Sequence, residues 1–159
     1  MIDSNTTFDY IQQRMIDEGL VFTGCSDEEI AAIEKQFDIR FPAMYRRFLA
    51  QMGKFIRDFL VGTDWTYAHV RNPSLRKHAE SLIAEADTSY ELPKDAFVFC
   101  MHQGYSFLFF HAIDDDPPIW LYVENDDEPK QVAPSFTSWL HDTVAEQIYF
   151  KQRNWVQPQ

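Results

Sequence analysis

Residues 102–124 read HQGYSFLFFHAIDDDPPIWLYVE, and this stretch decides the fold. Two runs rich in aromatic and β-branched residues, 105–113 and 119–124, have the composition of β-strands. The acids and prolines between them, at 114–118, are typical of a tight turn, and strands joined by so short a connection pair antiparallel. The two aromatic strands are expected to have a structural role in the sheet. The acidic turn carries no metal or nucleophile motif, which favours a binding surface over a catalytic pocket.

The sequence on either side of this stretch predicts two more strands and five helices. Short apolar runs at 97–101 and 130–133 extend the strand pattern, with a turn at Gln103–Gly104. Helix starts are indicated by Thr6 or Thr7, by the capping-box sequence Ser26-Asp27-Glu28-Glu29, and by Pro42, Asn72-Pro73 and Ser135. Residues 54–70 fit a strand or a buried loop, and Trp155 falls in a C-terminal tail.

The order of these elements predicts an α+β fold. Helices come first, an antiparallel meander follows, and one helix closes the chain, so the helices are expected to cover one face or end of the sheet. The chain has 159 residues, without an internal repeat or a linker. A single domain over residues 1–159 is therefore expected.

The composition describes an acidic chain with many aromatic residues. The net charge is −11 and aromatic residues make up 16% of the chain, enough to build a core and to argue against disorder. The acidic balance disfavours direct binding of nucleic acid and permits attraction to a basic protein, although solubility alone also explains it. Cys25 and Cys100 belong to no C-x-x-C unit, and neither a secretory leader nor an apolar run of roughly 20 residues is evident. These features predict a cytoplasmic protein with reduced thiols and no membrane partner.

No pattern in the sequence indicates catalysis, a cofactor or a metal. The five histidines form no zinc-binding spacing, and there is neither a nucleophile elbow nor a phosphate-binding glycine loop. The acidic turns lack the alternate ligand spacing and the glycine of a calcium loop. An enzyme that uses His102 or His111 with nearby carboxylates remains an alternative, and it requires these groups to converge in one pocket.

Acidic residues on two turns are the candidate partner-binding residues. They flank the predicted strand 119–124, which puts the two groups roughly 15–20 Å apart at about 3.4 Å per residue. The acids are Asp114, Asp115, Asp116, Glu124, Asp126, Asp127 and Glu128. Such spacing predicts a broad negative edge rather than one tight site. Trp65 and Tyr67, which are expected to be partly exposed, are the candidate aromatic anchors.

Several segments in succession resemble the motifs of the SUKH superfamily. The segments are 24–37, which contains the capping box, 41–49 (FPAMYRRFL), 92–99 (LPKDAFVF), 107–110, 116–120 (DPPIW) and 135–140 (SFTSWL). The second of them is similar to the family's L-P-x-x-Y-x-x-F-L helix. The resemblance spans about residues 20–142. The chain departs from the pattern at Met52-Gly53-Lys54, where an Asn-Gly-Gly ending is common, and in an insert at 63–90.

The resemblance implies a single α+β domain without catalytic activity. Bacterial members are commonly immunity proteins that bind and neutralise a cognate toxin domain, often a nuclease, in polymorphic toxin systems, whereas fungal relatives are interaction hubs. The short chain looks like the bacterial type, which predicts a toxin domain as its partner. A scaffold or regulatory module without a toxin partner is the alternative. An exposed strand edge also allows a homodimer.

Overall fold

Within residues 2–156, which the computed structural model describes with side chains as far as Arg153, the chain forms seven strands and six helices. The strands are β1 (Phe22–Thr23), β2 (Phe55–Ile56), β3 (Thr63–Asp64), β4 (Ala96–His102), β5 (Ser106–His111), β6 (Ile119–Val123) and β7 (Lys130–Ala133). The helices are α1 (Ser4–Asp17), α2 (Asp27–Phe37), α3 (Ala43–Met52), α4 (Tyr67–Val70), α5 (Ser74–Glu85) and α6 (Phe136–Val156).

The centre of the fold is an antiparallel sheet with the strand order β3-β4-β5-β6-β7. Strands β4 to β7 are the meander that the sequence predicts, and β1 pairs with β2 in a separate two-stranded sheet. The turn between β4 and β5 places Gln103 and Gly104 at φ values of 48° and 78°, a left-handed conformation that glycine adopts without strain. The α+β fold with a closing helix is therefore confirmed.

Strand β4 is covered on both faces. All of its residues from Ala96 to Met101 are buried, so it shows none of the alternation of a strand with one wet face. On one face, Tyr45 of α3 lies 5.8 Å from both Phe97 and Phe99, measured between ring centroids. Helix α5 also packs against β4, and the guanidinium of its Arg76 donates to the backbone oxygen of Ala96 at 2.6 Å.

An aromatic cluster joins the helices to the sheet. Tyr45 is at its centre and contacts Phe48, Phe110 and Phe136, with ring centroids between 5.0 and 6.0 Å apart. Each such pair adds about 0.5–1.5 kcal/mol to the free energy gained by burial alone. Because Phe136 belongs to α6 and Phe110 to β5, this cluster fixes α3 and α6 on the same face of the sheet.

Local signals place the helix starts within a few residues. Ser26 and Glu29 exchange both hydrogen bonds of the capping box, which confirms that prediction. The prediction of Thr6 or Thr7 as the cap of the first helix is wrong. Helix α1 begins at Ser4, and the Asp3 carboxylate accepts the N–H of Thr6 at 2.9 Å, because aspartate caps a helix as well as threonine does.

Residues 54–70 form elements too short to show the hydrophobic periodicity of a helix or a strand. They contain β2, β3 and α4, and β3 adds an edge strand that the sequence did not predict, with Thr63 opposite His102. Two residues are too few to show a strand pattern. The predicted tail around Trp155 is helical backbone within α6, and the side chain of Trp155 lies outside the described residues. In residues 2–156, none of the helices has both the length and the apolar character that a membrane span requires.

Candidate partner-binding surface

The acidic residues predicted to bind a partner lie at two opposite ends of the central sheet. Asp114 to Asp116 follow β5, and Glu124 to Glu128 connect β6 to β7. The intervening strand β6 has 5 residues, so about 15 Å separates the two groups at the usual rise of an extended chain. The structure therefore places the seven acids on two separate surfaces rather than in one site.

Asp116 holds two helices together. Its carboxylate accepts hydrogen bonds from the backbone N–H of Thr137 at 2.9 Å, from the hydroxyl of Thr137 at 2.6 Å and from the hydroxyl of Ser4 at 2.6 Å. Thr137 is in the first turn of α6 and Ser4 is the first residue of α1, so the positive ends of two helix dipoles face one carboxylate. Asp116 is half-buried, whereas Asp114 and Asp115 are exposed to solvent.

Three loops meet at the other end of the sheet, and we call this surface the loop end. It consists of residues 57–64, 102–106 and 124–129. The pairing of Thr63 with His102 joins the first loop to the second. The N–H of Glu124 donates to the backbone oxygen of Tyr105 at 2.8 Å, which joins the third loop to the second. The acids that these contacts bring to one surface are Asp58, Asp64, Glu124, Asp126, Asp127 and Glu128.

The carboxylates of the loop end are exposed, with the exception of Asp126. Asp126 is half-buried because its carboxylate accepts the N–H of Val123 at 3.2 Å and its backbone oxygen accepts the hydroxyl of Tyr122 at 2.8 Å. Arg57 is the one Lys or Arg in the three segments. Their summed charge gives this surface a negative potential, which attracts a basic protein and accelerates its encounter.

Exposed apolar side chains accompany the acids of the loop end. Val61 is 79% exposed and Tyr105 is 40% exposed. An aromatic residue surrounded by polar groups is typical of protein interfaces. The sequence did not indicate a binding role for these two residues or for Asp58 and Asp64. Residues 57–64 show no helical or strand periodicity, and the sequence pattern predicted that Tyr105 belongs to a strand. Gly62 was the available sequence signal for a surface loop, and in the structure it has the φ of 82° that a turn of this kind requires.

The two candidate aromatic anchors differ in exposure. Trp65 is only 5% exposed, and its indole N–H donates to the backbone oxygen of Phe59 at 3.3 Å. The expected partial exposure of Trp65 is therefore wrong, because its ring packs edge-on against the ring of Phe59 in the core. Tyr67 is half-buried, and its ring centroid lies 5.6 Å from Lys54 Nζ and 5.4 Å from the guanidinium carbon of Arg71.

His102 and His111 lie at opposite ends of the pair formed by β4 and β5. His102 is opposite Ser106 and its Nδ1 is 2.8 Å from the hydroxyl of Thr63. His111 is opposite Ala96 and its Nδ1 is 2.9 Å from a carboxylate oxygen of Asp95. The two histidines thus lie in separate places. Of the pair, His111 contacts a carboxylate, that of Asp95, whereas His102 forms no hydrogen bond to a carboxylate among the residues that the structure describes. Nor do three His, Cys, Asp or Glu side chains among these residues group as metal ligands.

The two thiols are buried, and burial raises their pKa values. Burial raises the pKa of Cys100 to about 12 and that of Cys25 to about 11, so the reactive thiolate is scarce at neutral pH. Both cysteines are unbridged, in agreement with the absence of a C-x-x-C unit.

Comparison with known proteins identifies a family. The family model described as the SMI1 / KNR4 family (SUKH-1) matches residues 24–142, which is most of the chain and nearly the range of the sequence resemblance. The matched range begins at Gly24, just before the capping box, and ends in the first half of α6. It includes the whole central sheet and all three loops of the loop end. No curated protein sequence matches the chain closely enough to count as a relative.

Proposed function

The chain belongs to the SMI1 / KNR4 family (SUKH-1), and from this premise we propose that it is an immunity protein, a cytoplasmic and non-catalytic inhibitor that binds a cognate bacterial toxin domain. Toxin binding by bacterial members is what the family resemblance implies. A protein partner of this kind requires a surface that recognises it, and the loop end is the surface that we assign to this role.

The observation that carries this proposal is the concentration of exposed carboxylates at the loop end. Glu124, Asp127 and Glu128 are exposed on one turn, and Asp58 and Asp64 are exposed on a neighbouring loop. Charges of one sign on a single surface raise the rate of association with an oppositely charged protein. This favours a basic partner.

A nuclease toxin fits this chemistry because its active site binds the phosphates of nucleic acid with basic side chains. The carboxylates of the loop end would then occupy the positions of phosphate groups and would exclude the substrate. Asp114 and Asp115 lie at the opposite end of the sheet and take no part in this contact. Tyr67, beside Lys54 and Arg71, is a candidate for a peripheral contact.

Co-expression with a toxin domain encoded by a neighbouring gene is the direct test. We expect a complex that survives purification and cells that survive expression of the toxin. Stable purification of the chain without the toxin, together with no rescue of growth, would refute the immunity function. Capture of several cellular proteins and no toxin would instead favour a scaffold or regulatory module. Size-exclusion chromatography of the chain alone tests whether it forms the homodimer that an exposed strand edge allows.

A further inference from the structure

An apolar groove lies between α6 and the central sheet, next to the loop end. Its floor is formed by Cys100, Leu108 and Leu121, which are side by side on β4, β5 and β6. The groove has a volume of about 230 Å³. Its walls come from α6 and from the loop end, through Trp139, Thr143, Glu146, Leu60, Thr63, His102 and Ser106.

The floor of this groove is an incompletely covered part of the sheet. Phe107 and Phe109 are fully buried, whereas Leu108 between them is only half-buried although β5 is the central strand. Helix α6 covers the neighbouring part of the same face, where Trp139 packs edge-on against Phe99 with ring centroids 5.1 Å apart. Burial of apolar surface contributes about 25 cal/mol of favourable free energy per Å², and the surface of an open groove lacks this contribution. The groove therefore favours an occupant that covers it.

The size of the groove indicates what kind of occupant fits. Sites for small molecules and cofactors usually enclose about 300–1,000 Å³, which exceeds the 230 Å³ found here. The open side faces solvent beside an exposed protein surface rather than leading into a closed cavity. One large apolar side chain of another protein matches this shape, as the buried anchors of protein interfaces do.

The charges around the groove specify the neighbours of that side chain. Glu146 lines the groove, and Asp142 precedes it by one turn of α6. Gln147 donates to the backbone oxygen of Asp58, which holds the acidic loop end against this part of α6. Helix α6 contains no Lys or Arg before Lys151. The α6 side of the groove is therefore acidic, which suits an apolar residue flanked by lysine or arginine.

We infer that the groove between α6 and strands β4 to β6 receives one large apolar side chain, flanked by basic residues, of the partner protein. This inference rests on the proposed function for the identity of the partner. The acids of the loop end then attract the partner, and the groove holds it. The two roles differ kinetically, because exposed charges govern association and buried anchors govern dissociation.

A peptide titration tests the groove without the toxin. The probe is a short peptide with one Phe between two pairs of basic residues, and the matched control has Ala in place of Phe. We expect the Phe peptide to shift the backbone amide signals of Leu108 and Leu121 and the indole N–H signal of Trp139 in the NMR spectrum. The Ala peptide is expected to shift only signals of the acidic loops. Identical shifts with the two peptides, or no shift at the groove, would overturn the inference.

A variant that fills the groove provides the second test. Thr143→Trp places a bulky side chain on its α6 wall, and Ile113→Trp places the same side chain at the opposite, exposed end of the sheet. We expect Thr143→Trp to abolish the Phe-specific shifts and to weaken toxin binding at least tenfold, whereas Ile113→Trp retains both. The peptide titration of the unaltered chain decides the question if Thr143→Trp fails to fold.

The two proposals fail in different ways. If the unaltered chain binds the toxin and a folded Thr143→Trp variant binds it equally well, the groove inference is wrong and the immunity function stands. If the Phe peptide occupies the groove while the toxin is neither bound nor neutralised, the immunity function is wrong and the groove remains a binding site for a basic partner of another kind.

Discussion

The carboxylate of Asp116 links the first turns of two helices that are remote in sequence. Asp116→Ala would leave the N–H and hydroxyl of Thr137 and the hydroxyl of Ser4 without this acceptor. We expect the free energy of unfolding, measured by urea denaturation, to fall by about 1–3 kcal/mol. Asp114→Ala removes the same charge from an exposed position and is expected to stay within about 0.5 kcal/mol of the unaltered chain. Equal losses in the two variants would contradict this assignment.

The hydroxyl of Tyr45 has no hydrogen-bond partner among the described residues although the side chain is fully buried. Burial raises the pKa of Tyr45 well above its usual value, so the group stays neutral. An unpaired buried hydroxyl costs about 1–3 kcal/mol, which a phenyl ring of nearly the same shape avoids. Tyr45→Phe is therefore expected to keep or raise the thermal midpoint of unfolding, in contrast to Tyr45→Ala, which opens a cavity in the aromatic cluster. A clear decrease for Tyr45→Phe would show that the hydroxyl has a partner.

The capping box of α2 determines the ionisation of one carboxyl group. The backbone N–H of Ser26, followed by the ammonium of Lys54, lowers the pKa of Glu29 to about 2. Because the folded-state pKa is lowered, the stabilisation by this carboxylate is present above the usual glutamate pKa of about 4.3 and is lost as the pH falls toward 2. NMR titration of the Glu29 carboxyl carbon measures this value directly.

A pair of variants separates the causes of this shift. Ser26→Ala keeps the backbone N–H, whereas Ser26→Pro removes it, and the φ of −75° at this position suits proline. We expect the pKa of Glu29 to stay low in Ser26→Ala and to rise toward its usual value in Ser26→Pro. Similar values in the two variants would assign the effect to Lys54 instead.

Elements that depend on nearby residues were predictable, and contacts between remote residues were not. The capping box joins Ser26 to Glu29 within a single turn, so four letters of sequence contain the whole interaction. Asp116 instead bonds Ser4, 112 positions away, and no local pattern indicates such a contact. The strands of the meander were predicted because each has enough residues to show its composition, whereas β3 has 2.

The candidate site combines predictable and unpredictable parts for the same reason. The acidic turn from Glu124 to Glu128 is evident as a run of charge. The addition of Asp58 and Asp64 to that surface depends on the pairing of Thr63 with His102, which the sequence does not reveal. A contact with a remote residue also explains why position 24 is a glycine, because a Cβ atom there would lie 1.8 Å from the backbone oxygen of Ala50.

The distribution of charge over the whole molecule is uneven. Cations of α3 and the residues after it pair with acids of α1 and α2, in the pairs Arg46–Glu34, Arg47–Asp9 and Lys54–Glu29. From Ala96 to Pro129 the chain contains no Lys or Arg at all. The net charge of −11 is thus concentrated on the sheet and its turns, while the surface around α2 and α3 is locally balanced.

This distribution predicts that the position of the charges, and not their sum, controls association with the proposed toxin partner. Glu124→Gln with Asp127→Asn removes two charges from the loop end, and Asp114→Asn with Asp115→Asn removes two from the opposite end. At 10–20 mM salt we expect the first double variant to associate several-fold more slowly in stopped-flow measurements, with little change in dissociation. The second should resemble the unaltered chain more closely. Screening at about 0.5 M salt should bring the association rates together, because the Debye length then falls to roughly 4 Å. If the two double variants associate equally slowly at low salt, net charge alone steers the partner and the loop end loses its assigned role.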